Sequence, residues 1–159
     1  MSIAPRKKPY EILVIEDNPG DVRLLQEALK EGNIRNSMNV VEDGEEALLY
    51  LNQRGKFCTA TRPDLIFLDL NLPKKDGREV LAEIKGDTRL KQIPVVILTT
   101  SEAEQDVVRA YSLHANCYVP KPVDLETFFS TVKACQSYWF GTVRLPNVVI
   151  AASNGRSNP

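Results

Sequence analysis

The stretch Asp64-Leu-Ile-Phe-Leu-Asp69 places four consecutive apolar residues directly before a carboxylate. Three other apolar runs of four to six residues also end in polar or charged side chains: Tyr10–Ile15 before Glu16 and Asp17, Pro94–Leu98 before Thr99, and Cys117–Pro120 before Lys121. Short apolar runs rich in β-branched residues are typical of buried parallel strands. The carboxyl ends of parallel strands meet at one edge of a sheet, where open α/β sheets place their ligands. The sequence therefore predicts a polar site at this edge.

Length and composition describe one ordinary globular domain. The chain has 159 residues, 43% hydrophobic and 26% charged, with a formal net charge of −1, and one continuous α/β rhythm favours a single domain. The scattered basic residues form no stripe that would predict DNA binding, and no apolar run approaches the ~18 residues of a membrane span. The basic N-terminus lacks the apolar stretch of a signal peptide. Three cysteines without metal-ligand spacing predict reduced thiols and a cytoplasmic location.

Helix signals separate the predicted strands. Asn18 and Pro19 begin the first helix, where Asp21 favours the positive helix end. The capping-box pattern of Ser101 predicts that the fourth helix starts there, and His114 is expected at positive φ where that helix ends. Strand and helix alternate five times, so we expect a doubly wound parallel five-stranded sheet, the flavodoxin-like (βα)5 fold with strand order 2-1-3-4-5.

Three carboxylates gather at the predicted edge, from Glu16, Asp17 and Asp69. Two unit charges 4 Å apart repel by ~4 kcal/mol at an effective dielectric constant near 20. One group therefore takes up a proton, or a divalent cation lies among them. Oxygen ligands with room for water favour Mg²⁺ over Zn²⁺. Magnesium at this position indicates phosphoryl chemistry.

Asp69 is the best candidate for the reacting group because it stands alone at its strand end. An aspartate can carry a phosphoryl group as a mixed anhydride. Lys121 can pair with one phosphoryl oxygen, and the Thr99 hydroxyl can donate to another. No residue is placed as an obvious general base. The pattern predicts a protein that accepts and holds a phosphoryl group, rather than an enzyme with rapid turnover.

These motifs and their order resemble a bacterial response-regulator receiver domain. They are Val14-Ile-Glu-Asp-Asn, Asp64–Pro73, Asp76-Gly77, Ile97-Leu-Thr99 and Tyr118–Pro122. The resemblance implies that Asp69 accepts a phosphoryl group from a sensor histidine kinase. It also implies that Glu16, Asp17, Asp69 and the backbone carbonyl of Asn71 bind Mg²⁺.

Further roles follow from the same resemblance. Thr99 and Lys121 would hold the phosphoryl group, and Tyr118 would act with Thr99 as the switch that turns inward. The peptide bond between Lys121 and Pro122 is expected to be cis. The resemblance divides the chain into a flexible arm at 1–9, a receiver domain at 10–140 and a partly ordered tail at 141–159.

The tail is a candidate dimer contact, because about twenty residues are too few for a helix-turn-helix module. Its candidate contact residues are Tyr138, Trp139, Phe140, Val143 and Leu145. Consecutive helical positions lie about 100° apart, so the three aromatic side chains cannot all face one core. Large exposed apolar patches usually mark an interface. The alternative is that the tail folds back on its own domain.

The tail also resembles the short regulators paired with cyanobacterial and other bacterial phytochromes. The matching segments are Tyr138–Pro146, Asp17–Asp21 and Leu98–Ser101. This resemblance implies a phytochrome-type light-sensing kinase as the partner. The apolar tail surface predicts a homodimer, and the sequence does not identify the downstream protein.

Three other functions are associated with similar folds or similar chemistry. A phosphorelay intermediate, passing phosphate to a histidine phosphotransfer protein, is compatible with every motif. A phosphatase of the haloacid-dehalogenase kind needs an Asp-x-Asp pair, and this chain has Asp69-Leu-Asn71. A flavodoxin needs a phosphate cradle after the first strand, and the acidic loop at Glu16 and Asp17 would repel a flavin phosphate.

Overall fold

The computed structural model describes residues 8–121 and 124–146. Five parallel strands form one sheet in the order β2-β1-β3-β4-β5. The strands are β1 Tyr10–Ile15, β2 Asn36–Val41, β3 Leu65–Leu68, β4 Val95–Thr99 and β5 Cys117–Pro120. This topology confirms the predicted flavodoxin-like fold. Most of the predicted arm, the bond to Pro122 and the tail from residue 147 onward lie outside the described residues.

Five α-helices connect and follow the strands. They are α1 Pro19–Glu31, α2 Gly44–Leu51, α3 Gly77–Gly86, α4 Glu104–Ser112 and α5 Leu125–Gln136. A π-helical segment, Ser137–Thr142, continues α5. Among the described residues, none of the helices combines the length and the apolar character that crossing a bilayer requires.

The sheet separates two apolar cores. Along β1, Leu13 and Ile15 enter one core, whereas Ile12 and Val14 enter the other. The first core contains buried residues of α2, α3 and α4, and the second contains those of α1 and α5. Since side chains alternate between the two faces of a strand, covering both faces requires strands that are apolar throughout. This explains why the central strands β3 and β4 appear in the sequence as almost continuous apolar runs, whereas the edge strand β2 contains polar residues.

The start of α4 corrects one prediction. The helix begins at Glu104 with Ala103 as its N-cap, and no side chain caps it. Ser101 instead donates its hydroxyl hydrogen bond to the Asp106 carboxylate over 2.6 Å. Asp106 also pairs with Arg78 over 2.8 Å, so tertiary contacts draw Ser101 into the loop before α4. At the other end, His114 adopts φ 70°, as predicted.

The segment after α5 corrects another prediction. Phe140 is only 5% exposed, and its ring stacks on Tyr10 with the centroids 4.1 Å apart. Phe140 therefore cannot contribute to a dimer surface on the folded monomer. Trp139 and Leu145 pack partly against the same core, whereas Tyr138 is 51% exposed. The burial of Phe140 therefore matches the alternative prediction, in which the tail folds back on its own domain.

The end of α1 is closely packed against α5. Gln136 is 1% exposed, and its side-chain amide nitrogen donates to the carbonyl oxygens of Leu29 at 3.2 Å and Ile34 at 3.4 Å. Gly32 has an ordinary φ of −74°, but a Cβ atom added there would overlap the Gln136 amide. Gly32 is therefore required for space rather than for backbone conformation.

We expect Gly32→Ala to lower the free energy of unfolding by about 1–3 kcal/mol, since overpacking displaces a buried, hydrogen-bonded amide. Gly86→Ala is the matched control, because no atom lies within 4 Å of a Cβ added at that position in α3. The control should be neutral, or stabilising by up to ~1 kcal/mol. Urea unfolding of both variants measures the difference, and equal midpoints would contradict the packing argument.

Candidate functional site

The three predicted carboxylates meet at the carboxyl edge of the sheet. Because Ile15 is paired with Leu68 in the ladder between β1 and β3, the residues that follow these strands are neighbours. Glu16, Asp17 and Asp69 each offer one ligand atom, and these atoms all lie within 4.8 Å of one another. Glu16 and Asp69 are buried, whereas Asp17 is exposed. The cluster thus has one open side.

The backbone after Asp69 is held in place by α3. The Asn71 backbone N–H donates to the Asp69 carboxylate over 3.1 Å, and the Gly77 N–H donates to the Leu70 carbonyl over 2.9 Å. A Cβ atom on Gly77 would overlap the backbone of Asp69 and Leu70. Only glycine permits this close approach of a helix to the strand end. The arrangement fixes the Asp69 carboxylate, while the role of the Asn71 carbonyl stays a prediction.

Lys121 brings a cation into the cluster from the other side. Its ammonium donates to Glu16 at 2.5 Å, to Asp21 at 2.8 Å and to Asp69 at 3.2 Å. The Lys121 side chain is 9% exposed, and its backbone N–H donates to the Thr99 carbonyl over 2.6 Å. Residues from four distant stretches of the chain therefore surround one buried ion-pair network.

Asp21 is a residue of this site that the sequence pattern did not indicate. Asp21 lies in the first turn of α1, and we expected it only to favour the helix terminus. A helix that directly follows a parallel strand begins at the carboxyl edge of the sheet, where ligands bind. The position of Asp21 in that first turn is the signal that could have placed its carboxylate at the sheet edge.

Burial and charge perturb the groups of this network. Burial raises the pKa of Glu16 to about 7, and the nearby Asp69 charge adds to this effect, although the hydrogen bond from Lys121 opposes it. Burial alone would lower the pKa of Lys121, but its hydrogen bonds to Asp21 and Glu16 outweigh burial and raise it. Lys121 therefore remains charged at neutral pH, and Glu16 takes up a proton more readily than an ordinary glutamate does.

The raised pKa of Glu16 predicts a pH-dependent stability of the metal-free protein. Between the ordinary pKa of 4.5 and about 7, the folded state binds more protons than the unfolded state. The free energy of unfolding should therefore fall as the pH rises through this window, by roughly 3 kcal/mol in total. Thermal or urea unfolding in a chelator at pH 5 and pH 7.5 measures this change.

Glu16→Gln provides the control, because an amide does not titrate and should remove most of the slope. The lowered pKa values of Asp106 and Asp124 act with the opposite sign. Their stabilisation is lost only as the pH falls below their ordinary value of 3.8, so the two windows do not overlap. An unchanged slope in Glu16→Gln would contradict the assignment.

Thr99 presents an unsatisfied hydroxyl beside the network. The residue is 0% exposed, and its Oγ1 has no hydrogen-bond partner among the described residues. Buried hydroxyls nearly always have a partner, and an exception requires an explanation. A group that binds next to Asp69 and accepts this hydrogen bond would provide one.

Tyr118 lies farther along the same edge. Its hydroxyl donates to the Ser101 carbonyl over 2.8 Å, so the ring points toward the loop between β4 and α4. The remaining dimer candidates are remote from the carboxylates, because the Phe140 segment packs on Tyr10 at the opposite, amino end of β1. The structure therefore groups the phosphoryl-site candidates together and separates them from the dimer candidates.

Comparison with known proteins agrees with this geometry. The model of the response regulator receiver domain family matches residues 12–133. The response regulator Rcp1 of Synechocystis is 51% identical over 138 residues, which cover 87% of this chain and 94% of Rcp1.

Two solved structures resemble this one closely. The Mn²⁺-bound form of Rcp1 has a TM-score of 0.83 at 51% identity, covering 87% of this chain and 99% of that one. The phosphorylated cyanobacterial phytochrome response regulator RcpA has a TM-score of 0.85 at 51% identity, covering 88% and 100%. The acidic cluster here fits the divalent-metal site of receiver domains. This chain therefore belongs to the response regulator receiver domain family.

Proposed function

We propose that this protein is a response regulator that accepts a phosphoryl group from a sensor histidine kinase on Asp69 and signals by a change of conformation. The observation that carries the proposal is the network in which Lys121 contacts both Glu16 and Asp69. The buried, unpartnered hydroxyl of Thr99 supports it further. Binding of an aspartyl phosphate requires a carboxylate, a cation and a hydroxyl donor that has no other hydrogen-bond partner.

The chemistry is a transfer between two covalent carriers. A carboxylate oxygen of Asp69 forms a bond to phosphorus while the bond between phosphorus and the kinase histidine nitrogen breaks, and the imidazole leaves with the electron pair. Lys121 places its positive charge beside the acceptor and can pair with a phosphoryl oxygen. Thr99 can donate its hydroxyl hydrogen bond to another. The described site offers no second Asp at position 71 to act as general acid and base, which supports a signalling protein rather than a phosphatase.

Mg²⁺ is the proposed ion, and the donor set fits it. Three carboxylates whose ligand atoms lie within 4.8 Å of one another, with Asp17 on the exposed side, leave room for the waters that Mg²⁺ retains. We propose Glu16, Asp17, Asp69 and the Asn71 carbonyl as ligands. When bound, the ion supplies charge neutralisation for the phosphoryl oxygens.

Switching is proposed to proceed through Thr99 and Tyr118. Phosphorylation adds negative charge at Asp69 and draws the hydroxyl of Thr99 and the ammonium of Lys121 toward it. Moving a conformational equilibrium from 1:99 to 99:1 requires ~5.5 kcal/mol of preference. A few charge-assisted hydrogen bonds of ~1.5–3 kcal/mol each are sufficient. The contact between Tyr118 and Ser101 supports this path through the loop before α4.

A phytochrome-type histidine kinase is the proposed phosphoryl donor. The support is the 51% identity to Rcp1 and the similarity to RcpA, described as a phytochrome response regulator. A phosphorelay intermediate, passing phosphate to a histidine phosphotransfer protein, remains the second proposal, because its chemistry would use the same site.

The dimer contact that we propose has one residue fewer than the sequence predicted. We retain 10–140 as the receiver domain and propose a homodimer through the tail, with Tyr138, Trp139, Val143 and Leu145 as contact candidates. The exposure of Tyr138 supports this choice, and Phe140 is withdrawn from it. The downstream protein is not identified, and the cytoplasmic location stays a prediction.

One experiment tests the proposal most directly. The full chain is treated with acetyl phosphate and Mg²⁺, and intact mass and oligomeric state are measured. We expect the mass of one added phosphoryl group and no addition in a chelator. Steady turnover of a generic phosphatase substrate would instead favour a phosphatase of the haloacid-dehalogenase kind. Absence of any adduct would contradict the proposed function.

A further inference from the structure

We propose that Asp21 is a positioning residue that competes with the phosphoryl group for the ammonium of Lys121 and so weakens binding of the group at Asp69. The inference rests on the proposed phosphoryl-accepting function. It assigns to α1 a direct part in setting how tightly the site holds its charged group.

Lys121 has as many carboxylate partners as it has hydrogen-bond donors on its ammonium group. An ammonium group has three N–H donors. In Lys121, they are matched by three carboxylates, from Glu16 at 2.5 Å, Asp21 at 2.8 Å and Asp69 at 3.2 Å. The side chain is 9% exposed, so little water is available to exchange with. A phosphoryl oxygen can therefore bind this ammonium only if one of the three carboxylates gives up its place.

Asp21 differs from the other two carboxylates in its cationic partners. Glu16 and Asp69 belong to the cluster whose ligand atoms could hold a metal ion, together with Asp17, and Asp21 does not. With a divalent ion bound, Glu16 and Asp69 would have a second cation besides Lys121 to balance their charge. Asp21 has Lys121 as its partner in the site, and its hydrogen bond is shorter than the one from Lys121 to Asp69.

The backbone of Asp21 is held in place in the first turn of α1. Its N–H donates to the Asn18 side-chain oxygen over 3.1 Å, and Pro19 restrains the same turn of α1. The positive end of the helix also favours a charged carboxylate there. Asp21 therefore stays beside Lys121 while the group on Asp69 changes.

The consequence is a competition with a defined sign. Replacing the Asp21 carboxylate with a neutral amide should free one Lys121 donor and its charge. Beryllofluoride, which mimics a phosphoryl group on aspartate, should then bind Asp21→Asn about tenfold more tightly than wild type, allowing for the 34% exposure of the Asp21 side chain. A residue that only stabilised α1 would not produce this gain.

The test is a titration of the full chain with beryllofluoride at saturating Mg²⁺, in which the fluorine NMR signal of the bound group measures binding. Glu31→Gln is the matched control, since it removes one charge from the exposed last turn of the same helix and should leave the half-saturating concentration unchanged. Asp21→Ser is a second neutral variant and should reproduce the gain. Asp21→Glu keeps the charge and should remain closer to wild type.

A double-mutant comparison separates competition from a simple field effect. In a Lys121→Met background, Asp21→Asn should no longer tighten binding, measured by the initial slope where saturation is not reached. An equal gain in both backgrounds, or no gain with Lys121 present, would overturn the inference. If wild type itself forms no adduct, the proposed function fails first; if wild type binds and only the Asp21 effect is absent, the inference alone fails.

Discussion

Asp69→Asn is expected to take up no phosphoryl group from acetyl phosphate or a cognate kinase, while folding as the wild type does. The amide has no carboxylate oxygen to form the mixed anhydride, so the loss is complete rather than partial. Asn is nearly isosteric with Asp, and its side-chain oxygen can still accept the hydrogen bond that the Asn71 N–H now makes to Asp69. Intact mass and the far-ultraviolet circular dichroism spectrum measure both parts of this expectation.

Asp87→Asn is the matched control for that variant. Asp87 lies at the end of α3, where it accepts a hydrogen bond from the Arg89 backbone N–H over 2.7 Å, and it does not belong to the metal-binding cluster. The control should be phosphorylated as wild type is. Addition of one phosphoryl group to Asp69→Asn would refute the assignment and direct attention to another acceptor.

The sheet and its polar edge could be predicted because both depend on local sequence patterns. A strand covered by helices on both faces must be apolar throughout, so β1, β3 and β4 stand out as short apolar runs. The next residue after each run must then lie at the shared edge. This reasoning predicted that Glu16, Asp69 and Lys121 would approach one another, and the observed contacts agree.

The contacts that were missed depend on tertiary packing. The pattern at Ser101 would have capped a helix in isolation, but its hydroxyl bonds Asp106, which in turn pairs with Arg78 from α3. Helical geometry predicted that Tyr138, Trp139 and Phe140 cannot all face one core, and Phe140 was named with the other two as a dimer candidate. It is buried because the π-helical segment turns its ring onto Tyr10. Arg78 lies 28 residues from Asp106, and Tyr10 lies 130 residues from Phe140, so no local pattern contains this information.

Asp21 illustrates the same limit inside the site. The sequence shows a carboxylate in the first turn of α1, where it stabilises the helix end. Whether the side chain also reaches Lys121 depends on the position of α1 over the sheet, and the 2.8 Å contact results from that packing. Only the structure distinguishes a helix-stabilising charge from a participant in the network.

Lys121→Met is expected to destabilise the metal-free protein by about 3–5 kcal/mol at pH 7.5, the range for removing one partner of a buried ion pair. Methionine approximates the lysine stem, so the loss measures charge rather than a cavity. Glu16, Asp21 and Asp69 are left without the ammonium that they share. Urea unfolding in a chelator measures the effect, with Lys133→Met on the exposed side of α5 as the control.

The pH dependence of this variant provides the sharper test. In wild type, the hydrogen bond from Lys121 holds the pKa of Glu16 below the value that burial alone would give. Without that bond, Glu16 binds its proton more tightly in the folded state, and folding is favoured as the pH falls toward 4.5. The loss of stability should therefore be largest above pH 7 and shrink in acid. The proposed Mg²⁺ ion should also restore stability, since it would bind the carboxylates of the folded state. A deficit independent of both pH and Mg²⁺ would show that Lys121 acts by packing rather than by charge.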